Sequence, residues 1–340
     1  MIDFPLSTSM LISPRSLQLS AWLGHIPFAS WLIEQLEPRL IVELGTHRGA
    51  SFLALCQAVQ EQGKTSRVFA VDTWEGDEHA GYYGDEIYNE LREVQQRNYA
   101  GISEMMRMRF NEALPYFDEG SIDLLHIDGL HTYEAVREDF ETWLPKLSDR
   151  GVVLFHDTCV RERGFGVWQY WSEISQQYPA FEFTHTHGLG VLLVGKARHP
   201  ALSRFAEQWV AGGFAPINRL FDVLGSNIKR TEEIERVYVG LSDARSEVNR
   251  LGAIAHDSRL RCEQLEQELH QAQERIRHAE QEVQQHRLQA EHNALTPDDL
   301  RRIAGEERAR VVEELQAMVV PQLEGNTRKL DQLLRPWWRR

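Results

Sequence analysis

The chain has 340 residues, 42% of them hydrophobic, and 37 Lys and Arg against 51 Asp and Glu, for a formal net charge of −14. Such acidity disfavours non-specific nucleic-acid binding, which needs clustered cations on phosphate, so no nucleic-acid partner is expected. Three scattered cysteines, Cys56, Cys159 and Cys262, are too few for a disulfide framework or a zinc site, and a reducing cytoplasm is the expected location.

The first residues contain Asp3 and no basic stretch, a poor match to a signal peptide, and no apolar run approaches the ~18 residues of a membrane span. Residues 1–38, with Trp22, Phe28, Trp31 and Leu32, read as a helical cover. From 39 to 197 short apolar runs alternate with amphipathic segments. The runs are "RLIVELG", "RVFAVD", "MRMRF", "IDLLHID" and "GVVLFHD"; the helical patterns are Ala50–Gln60, Asp85–Asn98 and Tyr133–Leu147. Strand–helix alternation predicts a doubly wound α/β sheet, mostly parallel. "FEFTHT" and "GLGVLLVG" follow without a helix between them and predict an antiparallel edge hairpin.

After residue 197 the pattern changes. Residues 198–230 read as a helical connector, and 231–292 as a coiled coil. Positions a are Ile234, Leu241, Val248, Ala255, Cys262, Leu269, Ile276, Val283 and Ala290; positions d include Val237, Leu251, Leu265 and Ala272. A lone helix cannot bury such a stripe, so a homo-oligomer is expected through a helix of about 85 Å. A second amphipathic stretch occupies 298–340 and ends in "LLRPWWRR". Tryptophan beside arginine suits an anionic membrane surface, so a peripheral contact at the inner face of the cytoplasmic membrane is one expectation and a protein partner the other.

In open α/β sheets ligands bind beyond the carboxyl ends of the strands. There the sequence places Glu43 and Gly45, Asp72, Asp128 with His131, and His156 with Asp157. "VELGTHRGAS" has the spacing Glu-x-Gly-x-x-x-Gly, which differs from the dinucleotide Gly-x-Gly-x-x-Gly. Glu43 suits a positively charged ligand. Asp72, at the end of the next strand, suits ribose hydroxyls. Together these favour a nucleoside without phosphate.

At these residues the chain resembles the class I S-adenosylmethionine (SAM)-dependent methyltransferases, in particular the branch found in bacterial polysaccharide and O-antigen loci. The resemblance rests on "VELGTHRGASF", "AVDTWEGDEHAGYYGDE", "SIDLLHIDGLHTYEAVREDF", "LPKLSDRGVVLFHD" and "GFGVWQYW…HGLGVLLVG". It implies a Rossmann-like fold in which Glu43, Gly45, Thr46 and Gly49 line the methionine end of SAM. Asp72 would hold the ribose, Trp74 would lie near the adenine, and Asp128 would stand at the methyl-transfer face. One departure is His47, where the usual loop has a glycine.

An acceptor hydroxyl must be aligned and deprotonated. His131 is the expected base, an imidazole near its ordinary pKa just past the fourth-strand turn. Asp128 and Asp157, ending adjacent strands, could hold a divalent metal such as Mg, as in metal-dependent O-methyltransferases, or orient His131 and His156. Tyr82, Tyr83, Arg161, Arg163 and Trp168 are expected around the acceptor, with Trp171 in the core. The leading expectation is an O-methyltransferase acting on a bacterial glycan. The alternatives are a metal-dependent hydroxylase-like enzyme on the same fold and a coiled-coil scaffold with a ligand-binding α/β domain.

Overall fold

The computed structural model describes residues 4, 6–292 and 296–333, with side chains to residue 317. The chain divides into two compact units, 1–239 and 240–340.

In the first unit, α1 (Ile26–Leu36) precedes β1 (Leu40–Leu44), α2 (Ala50–Glu61) and β2 (Arg67–Asp72). A small hairpin of β3 (Gly76–Asp77) and β4 (Gly81–Tyr82) leads to α3 (Asp85–Asn98) and β5 (Ser103–Arg107). Then come α4 (Phe110–Ala113), β6 (Ile122–Ile127), α5 (Tyr133–Trp143), β7 (Leu147–His156) and α6 (Val167–Ile174). Strands β8 (Ala180–Phe183) and β9 (Leu189–Leu193) close the sheet, and α7 (Pro200–Val210) and α8 (Ala215–His292) follow. The sheet order is β5-β2-β1-β6-β7-β9-β8. β9 runs antiparallel to both neighbours, as the sequence predicted for this edge. This is a Rossmann-like sheet, mostly parallel, and its strand order reverses between β1 and β6.

Two boundaries differ from the sequence reading. The run "MRMRF" lies one turn too late: the strand is Ser103–Arg107, and Phe110 opens α4. Near the sheet edge, polar Ser103 and Glu104 pair with β2, where an apolar-run criterion overlooks them. The connector assigned to 198–230 is part of the first unit's core. Trp31 stacks on Phe205 of α7 at 5.1 Å, and Phe28 meets Phe221 of α8 at 5.5 Å. These aromatics bury the face of the sheet covered by α1 and α2, while α5 and α6 cover the other.

Strand β6 is buried along its whole length yet contains two ionisable groups. Asp123 accepts from the Arg39 backbone N–H at 2.8 Å, from Arg39 Nε at 3.0 Å, from Ser148 Oγ and from Arg150 Nη2 at 3.2 Å. It therefore ties β6 to the start of β1 and to β7, at the end of the sheet away from the carboxyl termini. His126 lies opposite Glu43 in the β1–β6 register, and its Nδ1 stands 2.9 Å from Glu43 Oε2. Trp22 Nε1 donates to His126 Nε2 at 3.0 Å. Since Nε2 accepts, the imidazole is the neutral Nδ1–H tautomer and donates to Glu43. A side chain of the N-terminal cover thus fixes a buried pair at the point where the strand order reverses.

In α8, Ile234 and Val237 are 54% and 53% exposed within the first unit. In the second unit Leu241, Val248 and Leu251 are exposed, whereas Leu265 and Ile276 are half-buried and Ala272 is 6% exposed. An alanine on a lone helix stays wet, so Ala272 is covered. Within this unit the other described helix is α9 (Pro297–Leu333), where Ile303, Glu307, Val311 and Leu315 are half-buried at 4-residue spacing. No helix among the described residues is long and apolar enough to cross a membrane. The tail "RPWWRR" lies outside the described residues.

Candidate active site at the strand ends

The loop after β1 turns sharply. Gly45 and Gly49 have φ of +84° and +81°, a region open to glycine at little cost. A Cβ at Gly45 would lie 2.1 Å from the Asp128 carbonyl oxygen, so this glycine lets β1 and β6 end side by side. Asp72 shapes the same loop. Its carboxylate accepts from the N–H groups of Thr46 at 2.7 Å, His47 at 2.9 Å and Trp74 at 2.8 Å. His47, in place of the usual glycine, adopts φ +49°, held by Asp72 on its N–H and by the Trp74 indole on its carbonyl at 2.9 Å.

Trp74 is fully buried and lies under this loop rather than open to a ligand. Glu43 is also buried; Oε2 meets His126, and Oε1 has no protein partner. Thr46 Oγ1 is likewise buried and unpartnered. A buried polar atom without a partner costs about 1–3 kcal/mol, so these two atoms mark where a polar ligand would be rewarded. Both belong to residues expected at the methionine end of SAM, where a carboxyl oxygen and a hydroxyl suit an ammonium group. Tyr83 stacks on His47 at 5.1 Å, which brings the segment after β4 onto the loop, while Tyr82 is 81% exposed.

Beyond β6 and β7 the expected residues converge. His131 Nε2 is 2.9 Å from Asp157 Oδ2 and 3.5 Å from Asp128 Oδ1. His156 Nδ1 is 3.2 Å from Asp128 Oδ1 and 3.4 Å from Asp157 Oδ2. Asp157 takes a left-handed φ of +61°, which costs a non-glycine residue energy and turns its carboxylate to the cluster. His131 does not cap α5; Thr132 does, its Oγ1 accepting from Ala135 N–H at 3.2 Å. Ligand atoms of Asp128, His131 and Asp157 all lie within 4.8 Å of one another, a set that can hold a cation. The added imidazole shifts the preference from the expected Mg towards Mn, Fe or Zn.

The electrostatics correct one expectation. Burial disfavours a charged His131, but the hydrogen bonds it donates to Asp128 and Asp157 outweigh it and hold the pKa at about 9. His156, also against burial, is raised to about 10 by the same two carboxylates. Both acids are in turn held well below the usual carboxylate range despite burial, with His156 the leading cause. His131 therefore does not titrate near neutrality while both carboxylates face it. Its Nε2 carries a proton where a metal ion or an acceptor would otherwise sit.

Three contributors escaped the sequence reading. His187 Nδ1 lies 2.9 Å from Asp157 Oδ1. Phe165 stacks on His131 at 4.4 Å and 8°, and His79 stacks on Phe165 at 4.7 Å. The histidines sit in glycine-flanked loops, "EHAG" and "THTHG", which was the available signal. Arg161 lies over Trp168 at 4.6 Å, and Arg163 over Phe165 at 5.5 Å, both on the segment that covers His131. Trp171 is buried, as expected of a core residue.

Residues 42–158, from β1 to just past Asp157, match the profile of a family described as a methyltransferase domain. With the sheet order, this match gives residues 42–158 the fold of a SAM-dependent methyltransferase domain within a longer chain. An uncharacterized protein of Sinorhizobium fredii, y4gI, is 48% identical over 219 residues, which covers 64% of this chain; the chain spans 22% of that relative's length. Among solved structures, the O-methyltransferase TomG from Streptomyces achromogenes in complex with SAM is 18% identical, with a TM-score of 0.39, covering 53% of this chain and 83% of TomG. The SAH-bound Podospora anserina methyltransferase PaMTH1 is 14% identical, with a TM-score of 0.40, covering 52% and 79%.

Proposed function

We propose that the protein is a SAM-dependent O-methyltransferase acting on a hydroxyl of a bacterial glycan. The observation that carries this reading is the convergence of Asp128, His131 and Asp157 beside the β1 loop. SAM, when bound, supplies a methyl group already activated by its sulfonium. Glu43 and Thr46 would hold its amino-acid end, and Asp72, which braces the loop, would also face the ribose. The chain then has to orient a hydroxyl and take its proton. Asp128 and Asp157 would align the hydroxyl as hydrogen-bond acceptors, and an imidazole of the cluster that has given up its own proton would take the hydroxyl's.

Asp128, His131 and Asp157 would hold a divalent cation. It would supply Lewis acidity that makes the acceptor hydroxyl easier to ionise. With such a cation bound, His131 would offer it the Nε2 lone pair and would not carry that proton. The same donor set supports a hydroxylase-like alternative. The two separate on transfer of labelled methyl from SAM into surface-polysaccharide fractions, run before and after prolonged chelation. We expect label in the glycan, loss after chelation and recovery with Mn²⁺. Label unaffected by chelation would assign the cluster to proton transfer alone, and no label in any glycan would reject the acceptor class.

The exposed a and d residues of α8 support self-association, with the helix as a spacer. We expect sedimentation velocity of the full chain to show an oligomer that Leu241→Glu and Val248→Glu together dissociate. A wild-type monomer would remove this role. A cytoplasmic setting, with contact through the C-terminal tail at the membrane, belongs to the same proposal.

A further inference from the structure

A groove of about 940 Å³ lies in the first unit, between the segment following α6, the edge strand β8 and the end of α7. Trp168, Tyr178 and Trp209 line it and are each half-buried, so each leaves part of a ring on its wall. The exposed side chains of Ser172, Gln176 and Gln177 line it too. One charge of each sign is present. Arg161 donates to the Thr158 carbonyl at 2.8 Å and lies over the Trp168 ring, and Glu182 is half-buried on β8.

This lining selects among ligands. A phosphate-bearing ligand needs an excess of cationic donors, and the single arginine is already engaged by backbone and indole. A lipid or an amphipathic helix needs a continuous aliphatic surface, which amides and hydroxyls interrupt here. Aromatic rings together with planar amides and hydroxyls, of which the Ser172 hydroxyl and Gln176 side-chain N–H also donate to the Gln169 and Ser172 carbonyls, match a ligand with C–H faces and many hydroxyl edges. An uncharged sugar chain has both.

The groove also touches the site. Trp168 Nε1 donates to the Phe165 carbonyl at 3.0 Å, and Phe165 stacks on His131. One wall of the groove is thus bonded to the residue that packs on the reacting cluster. We propose that this groove is a second binding site for a neutral oligosaccharide stretch of the acceptor, separate from the Asp128–His131–Asp157 cluster. The proposal rests on the glycan reading and extends it from a single hydroxyl to a polymer.

The test is direct binding by the full chain without SAM, read by tryptophan fluorescence. The probes are hexasaccharides of mannose, rhamnose and glucose, their methyl monosaccharides and an uncharged hexapeptide. We expect at least one hexasaccharide to saturate, at least ~10-fold tighter than its monosaccharide. Gln176→Ala with Gln177→Ala, and separately Trp209→Phe, should weaken it by roughly fivefold or more. Circular dichroism and SAM affinity control for folding. The proposal is overturned if no hexasaccharide binds, if the groove variants bind as wild type, or if the hexapeptide binds as tightly. Methyl transfer to a monosaccharide acceptor is measured separately. Loss of groove binding with transfer intact rejects this site alone, and groove binding without transfer rejects the catalytic reading alone.

Discussion

Asp157→Asn should lower methyl transfer by roughly 10²–10⁴-fold and leave SAM affinity nearly unchanged. Asp157 is the hub of the cluster, facing His131 at 2.9 Å, His187 at 2.9 Å and His156 at 3.4 Å. Asparagine tolerates the left-handed backbone better than other non-glycine residues, so this substitution tests the charge rather than the turn. The amide removes one of two anionic acceptors, one ligand of any bound cation, and much of what holds His131 in its raised range. Turnover with labelled SAM is the readout, with SAM affinity measured alongside. A rate within a few-fold of wild type would sink the hub role.

A second large effect lies at the opposite end of the sheet. Asp123→Ala should cost on the order of 3 kcal/mol of stability, because it removes charge-assisted bonds from Arg39, Arg150 and Ser148 to a fully buried carboxylate. At ~2–4 °C per kcal/mol for a unit of this size, the melting temperature should fall by roughly 6–12 °C. A matching pH dependence is expected. Burial raises the Asp123 pKa, but bonds from Arg39 and Ser148 outweigh it and lower it from 3.8 to about 2. A carboxyl depressed in the folded state stabilises fully above its unfolded pKa. That contribution, about 1–2 kcal/mol, is lost as pH falls from about 4 to about 2. Thermal melts of both proteins between pH 2 and 7 check it. The variant should lack this acid-sensitive component, and identical acid profiles would contradict the assignment.

Much of the site was legible because it sits at strand ends, where an apolar run stops on ionisable residues. Asp128, His131, His156 and Asp157 follow β6 and β7 in the sequence, and the parallel sheet brings their side chains together. Less legible were groups whose role depends on a partner far along the chain. Glu43 and His126 are 83 residues apart, and Trp22 reaches His126 across 104. No spacing rule shows that Trp22 of the N-terminal cover fixes a tautomer in β6. Phe165 and His79 meet only because two loops fold over His131. Trp74 shows the opposite limit: a tryptophan after a ribose-type acid reads as an adenine platform, yet it is buried as the support of the His47 turn. The sequence also gave the His131 imidazole an ordinary pKa, since the second carboxylate comes from another strand.

Calorimetric titration of the full chain with SAM tests the central claim most directly. The account predicts saturable binding at one site per chain. Asp72→Ala should weaken it by ~10²-fold or more, because the Thr46, His47 and Trp74 N–H groups lose their common acceptor and the ribose would lose its proposed anchor. Absence of saturable SAM binding by the wild-type chain, or undiminished binding by Asp72→Ala, would contradict it.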